Sequence, residues 1–99
     1  MKESQIDIKE DISRLFIKYK QLNPDIALAY DALPMEIFKD GLLSGKTKRL
    51  MALTASVVAG CRACILYQTS QALELGATAE EIMETLGVAI SLGGTMAAG

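Results

Sequence analysis

Apolar positions recur at helical spacing along nearly the whole chain. Ile8, Ile12, Leu15, Phe16, Tyr19 and Leu22 form one stripe, and Lys9, Glu10, Arg14, Lys18 and Lys20 lie opposite it. This predicts an amphipathic helix from about Ser4 to Gln21. Ser4 and Asp7 stand at capping-box spacing, with Asp in place of the better Glu. Asn23-Pro24-Asp25 is a start signal, because it offers a capping side chain, a proline at the first helical position and an acid in the first turn. Ile26, Tyr30, Leu33 and Ile37 carry the stripe on toward Gly41, and Pro34 predicts a kink or a split near Leu33.

Leu42-Leu43-Ser44-Gly45 reads as a loop in which Ser44 caps a third helix. From Leu50 to Ala59 that helix is apolar or small on every face, which implies protein on all sides and, in so short a chain, an oligomer. Gly60 ends it, and Cys61 to Leu75 forms a fourth helix stopped by Gly76. Thr78-Ala79-Glu80-Glu81 is a capping box opening a fifth helix, with Ile82, Leu86, Ala89 and Ile90 on its buried side. Gly87 suggests close helix approach, Gly93-Gly94 ends or bends the element, and Met96 to Gly99 reads as a frayed end. No strand pattern competes. The expectation is an all-α, single-domain, oligomeric bundle of about five to six helices, with an amphipathic helix over 1–22 and a helical domain over 23–99.

Composition narrows the function. Of 99 residues 51% are hydrophobic and only 5% aromatic, so the core must be built from Ala, Leu, Ile, Val and Met. The net charge of -2, with both signs mixed along the chain, gives no basis for a nucleic-acid or membrane partner. No segment has signal-peptide or membrane-span character, so a cytoplasmic location is the default expectation. Histidine is absent, which removes the commonest general base and the commonest metal ligand. Lys46, Lys48 and Arg49 fall at the start of the third helix, where the macrodipole disfavours cations. The simpler reading is a solvated helix end; the sharper one is a cation wanted near a thiolate or a carboxylate.

The candidate chemistry lies at Cys61 and Cys64, the only two cysteines. A C-x-x-C at a helix start places both sulfurs on one face of the first turn. There the unpaired N–H groups and the helix dipole lower a thiol pKa, and the second sulfur can close an internal disulfide. In a reducing compartment such a pair points to redox or metal chemistry rather than a structural staple. Helix position favours Cys61 as the low-pKa thiol, while the order of attack stays open.

Thr47-Lys48-Arg49-Leu50-Met51-Ala52-Leu53, then Val57 through Tyr67, then Ala72-Leu73-Glu74-Leu75-Gly76-Ala77-Thr78 and Glu80-Glu81-Ile82 together resemble the carboxymuconolactone decarboxylase family in its alkylhydroperoxidase-D-like branch. Asn23-Pro24 and Gly93-Gly94 lie where that family has a helix start and a glycine-rich end. The resemblance implies an all-helical domain assembling as a trimer or hexamer, with the cysteine pair near subunit contacts. It also implies a peroxidase or disulfide reductase in which one of Cys61 and Cys64 attacks a peroxide or disulfide and the other closes the bridge. A small dithiol or thiol protein is then the reductant, with no cofactor and no metal. The family's proton relay does not carry over: its glutamate twelve positions before the first cysteine is Arg49 here, and its histidine four after the second is Gln68. A further histidine immediately before the second cysteine is Ala63.

Relay help of this kind is worth roughly 10²- to 10⁴-fold. Gln68 can hydrogen-bond but cannot take up a proton, whereas Arg49 could hold a cysteine as thiolate without a base. These two therefore count as supporting site residues. Three other readings remain: a non-enzymatic helical oligomer with inert cysteines, a metal site shared by cysteine pairs from two chains, and a decarboxylase for which no acid–base residue can be placed. Tyr19, Tyr67 and the methionines read as packing residues. Glu36, Glu74 and Glu84 could serve as substitute bases from a neighbouring subunit, but no spacing singles one out.

Overall fold

A computed structural model describes residues 5–94. They form α1 (Gln5–Leu22), α2 (Pro24–Ile37), α3 (Gly45–Ala59), α4 (Arg62–Glu74) and α5 (Ala79–Ala89), followed by a kinked turn over Ile90–Gly94 in which Leu92 and Gly93 leave the helical conformation. The fold is all-α, with no strand among the described residues. The chain divides into two compact units between Ile37 and Phe38. The Ser4 capping box and the Met96–Gly99 end lie outside the described residues.

In the first unit α1 and α2 are joined through Asn23. Its side chain does not cap α2: Nδ2 donates to the Tyr19 carbonyl at 3.0 Å, so it closes the end of α1 instead. The Asn23 carbonyl accepts from Ala27 N–H at 2.9 Å, and Pro24 opens α2 at a position where its missing N–H costs nothing. Phe16 meets Tyr30 edge to face at 5.1 Å, and Lys20 pairs with Asp31 at 3.0 Å beside them. Pro34 does not split α2 near Leu33, because the helix runs on through Met35, Glu36 and Ile37. The proline forgoes its own bond to the Tyr30 carbonyl, and the helix ends three residues later. It stops at Ile37, however, well short of Gly41.

The second unit is organised around α3, which packs against both α4 and α5. Leu53 and Ala89 are fully buried and Val57 nearly so, with Ile65, Ile82 and Leu86 packed around them. Burying a side chain the size of Leu53 contributes about 1.5–3 kcal/mol. Within the chain α3 is covered on one side only, since Met51 is 55% and Val58 43% exposed. Gly87 has nothing near the position of a Cβ, so it serves no close approach among the described residues. Ile90 is also exposed: its backbone continues the helical geometry of α5, and its side chain falls at the edge of the stripe that Ile82, Leu86 and Ala89 bury.

The ends of the helices account for their own polar groups. Ser44 Oγ accepts from Thr47 N–H at 3.1 Å, and Asp40 Oδ1 accepts from Gly45 N–H at 2.7 Å. Asp40 is thus the acid that α3 lacks in its own first turn. Thr78 and Glu81 exchange the two bonds of a capping box at α5, at 3.0 and 2.9 Å. Lys46 reaches across to Glu81 at 3.0 Å and ties the start of α3 to the start of α5. Lys46 is therefore paired, not part of a solvated helix end.

Gly87→Ala should raise stability by about 0.4–1 kcal/mol in urea unfolding, since the helix interior gains a residue that fits without contact. Leu53→Ala should cost about 2–5 kcal/mol by the same measurement. The Glu81 carboxyl is held below its ordinary pKa, first by the Thr78 backbone N–H and then by the Lys46 hydrogen bond. A depressed folded-state pKa contributes stability that is present above the unfolded value and lost as pH falls through the folded one. Glu81→Gln should therefore flatten the loss of stability below the ordinary carboxylate pKa, read as unfolding midpoints against pH.

Candidate functional site

The turn between α3 and α4 builds the cysteine site. Gly60 adopts the left-handed conformation, with φ 72°, which residues with a Cβ adopt at a cost. Its N–H donates to the Val57 carbonyl at 3.1 Å, and the next N–H, that of Cys61, donates to the Ser56 carbonyl at 3.1 Å. This pair of bonds is a Schellman closure of α3. Cys61 is at once the last partner of α3 and the N-cap of α4: its carbonyl accepts from Ile65 N–H at 2.9 Å. Backbone bonds from two helices thus fix where its side chain begins.

Cys61 and Cys64 form a disulfide, with their Cα atoms 5.2 Å apart. Cys61 is not itself in the helix, as a reading of both cysteines on one turn would have it; it caps the helix, and its Sγ accepts from Cys64 N–H at 3.3 Å. Serine or aspartate oxygen commonly fills that role, so this sulfur faces donors that favour negative charge. Cys61 is half-buried and Cys64 exposed, which leaves the bridge open to a reagent from solvent. The arrangement can accept and release two electrons through a dithiol.

The two positions where the family's relay residues are replaced meet in space. Arg49 Nη1 donates to Gln68 Oε1 at 3.0 Å, and Gln68 lies one turn beyond Cys64 on α4. Arg49 is only 8% exposed. Its guanidinium carbon sits 3.7 Å from the Phe38 ring centroid and 5.7 Å from that of Tyr67. Such cation–π contacts are worth about 0.5–2 kcal/mol and offset part of the charge's desolvation. Its Nε is buried with no hydrogen-bond partner. Arg49 is therefore not a solvated cation, and in the disulfide state it bonds Gln68 rather than either sulfur. Periodicity offered no route to Phe38, which lies in the irregular stretch before α3, or to Tyr67 as more than packing. Glu36, Glu74 and Glu84 are exposed.

An all-α domain that presents a C-x-x-C disulfide at a helix start is the class this architecture defines. A model of the carboxymuconolactone decarboxylase family matches residues 24–99, and the chain belongs to that family. It is 36% identical over 84 residues to an uncharacterized protein of Cupriavidus necator, covering 85% of this chain and 74% of that one. It is similar to the apo structure of a carboxymuconolactone decarboxylase family protein from Legionella pneumophila. There the TM-score is 0.81 at 34% identity, over 93% of this chain and 86% of that one. A Thermotoga maritima member of the family, for which a role in antioxidative response has been suggested, matches with TM-score 0.67 and 36% identity over 73% of this chain and 74% of its own.

Gln68→Leu removes the hydrogen bond that Gln68 accepts from the buried Arg49 and should cost roughly 1–3 kcal/mol in chemical unfolding. An unchanged midpoint would mean that the Arg49–Gln68 bond contributes nothing to the folded state.

Proposed function

We propose that the chain is a thiol–disulfide oxidoreductase, with peroxiredoxin-type reduction of alkyl hydroperoxides as its weaker activity. The observation that carries this reading is the solvent-open Cys61–Cys64 pair, with Cys61 capping α4. In the reduced protein one thiolate attacks a disulfide sulfur of the substrate, forms a mixed disulfide and releases one thiolate. The second cysteine then attacks the bonded protein sulfur, closes Cys61–Cys64 and releases the other. Two protein thiols are oxidised and one disulfide is reduced to two thiols. A small dithiol or a thiol protein reverses this and restores the protein.

Thiol exchange suits the site better than peroxide reduction for a reason of leaving groups. A disulfide expels a thiolate, which is a weak base and needs no acid. A peroxide expels an alkoxide as the cysteine becomes a sulfenic acid, and that step gains from a proton donor. Neither Arg49 nor Gln68 delivers a proton at neutral pH. The suggested antioxidative role of the Thermotoga relative agrees with chemistry of this kind. Action in the cytoplasm as a trimeric or hexameric assembly completes the proposal. The exposed apolar residues of α1, among them Leu15 at 69% and Leu22 at 72%, support association.

Alkylation of the reduced protein by iodoacetamide against pH, with each cysteine assigned by mass spectrometry, tests the reading. One thiol, expected to be Cys61, should titrate clearly below the free value of about 8.5. Two slow thiols that react only on unfolding would instead make the chain a helical binding module.

A further inference from the structure

The Gln68 amide is held at one end only. Its Oε1 accepts from Arg49 Nη1 at 3.0 Å, while its NH2 group has no partner among the described residues and, unlike Arg49 Nε, is not sealed from solvent. The amide cannot turn over. A guanidinium only donates, so an NH2 group set against it would leave Nη1 without an acceptor beside an Nε that already lacks one, on a side chain only 8% exposed. Arg49 therefore decides which end of the amide is free, and that end is the donor.

The helix decides where the donor lies. Cys64 and Gln68 are four residues apart in α4, so they stack on one face with Cβ atoms about 5–6 Å apart. Side chains in an α-helix lean toward its N-terminus, which carries the Gln68 amide back over the turn that holds Cys64. Cys61 Sγ already has a donor in the Cys64 N–H at 3.3 Å, whereas no described residue donates to Cys64 Sγ in the disulfide. There that sulfur is uncharged and its rotamer is tied to Cys61. Opening the bridge frees the rotamer and, on ionisation, makes the sulfur a charged acceptor.

We propose that Gln68 is the hydrogen-bond donor to the Cys64 thiolate, with Arg49 as the residue that positions its amide. The assignment rests on the redox reading of Cys61–Cys64. Once Cys61 has attacked a substrate disulfide and carries the mixed disulfide, Cys64 must give its proton to water before it can close the bridge. The Gln68 NH2 group favours the thiolate that results. Cys64 Sγ then bonds Cys61 Sγ, the bond from Cys61 to the substrate sulfur breaks, and the substrate leaves as a thiolate. Two protein thiols are oxidised as one disulfide is reduced. Cys61 thus draws on the start of α4 and Cys64 on a side chain one turn further in, so each sulfur is stabilised separately.

The test isolates Cys64 in the full chain. In Cys61→Ser a serine oxygen takes over the α4 cap and Cys64 is the only thiol. Its alkylation by iodoacetamide is followed against pH in this background, alone and with Gln68→Met or Gln68→Glu. Gln68→Met should raise the Cys64 pKa by about one unit, a roughly tenfold smaller thiolate fraction at neutral pH. Gln68→Glu keeps an acceptor for Arg49 but offers no donor, and should raise it at least as far. In a Cys64→Ser background Gln68→Met should leave the Cys61 pKa where it was, which a general loosening of the site would not do.

A Cys64 pKa that neither substitution moves overturns the proposal, as does an equal rise at Cys61 and Cys64. Should Gln68→Met not fold, Gln68→Glu decides. The redox reading fails on a separate observation: if bis(hydroxyethyl) disulfide leaves the reduced wild type unoxidised while the Cys64 pKa still depends on Gln68, the exchange reaction is overturned and the hydrogen bond upheld.

Discussion

The site depends on how one turn satisfies backbone groups. Gly60 takes the left-handed conformation, which lets α3 close on its own carbonyls and immediately hands Cys61 to α4 as its N-cap. A residue with a side chain at Gly60 would strain that reversal. The helices on either side are held together by Leu53, Val57 and Ile65, so the rigidity of the turn is inherited from the core. The cysteine pair is therefore placed by backbone hydrogen bonds and apolar packing.

Exchanging a titratable relay for Arg49 and Gln68 changes what the surroundings of the cysteines can do. A carboxylate and an imidazole move protons; a guanidinium and an amide only fix charge and direction. The structure adds that the two replacements are bonded to one another, so they are best understood as one unit. Phe38 stacked on the guanidinium lowers the cost of keeping that charge out of water.

Much of this was readable from residues alone, for stated reasons. The capping box at Thr78 and Glu81, the Ser44 cap and the helix ends at Gly60 and Gly76 follow from local hydrogen-bond needs. The apolar periodicity was equally sufficient for the five helices. Where reading failed, the deciding partner lay far along the chain or in an irregular stretch. Lys46 and Arg49 look like a misplaced basic cluster until Glu81, Gln68 and Phe38 are brought beside them. Asn23 has the chemistry of an N-cap, yet its amide donor found the Tyr19 carbonyl first.

The division has a physical basis. Short-range chemistry is written in neighbouring residues, so the sequence determined the all-α class, the order of the helices, their caps, the position of the cysteine pair and the two places where the family's relay residues are missing. Tertiary structure alone decided that Arg49 is buried, that it bonds Gln68, that its Nε lacks an acceptor and that Gly87 packs against nothing among the described residues. Those facts depend on which helix faces meet, and the shape of the space between helices is set by the packed side chains together rather than by any one stretch of chain.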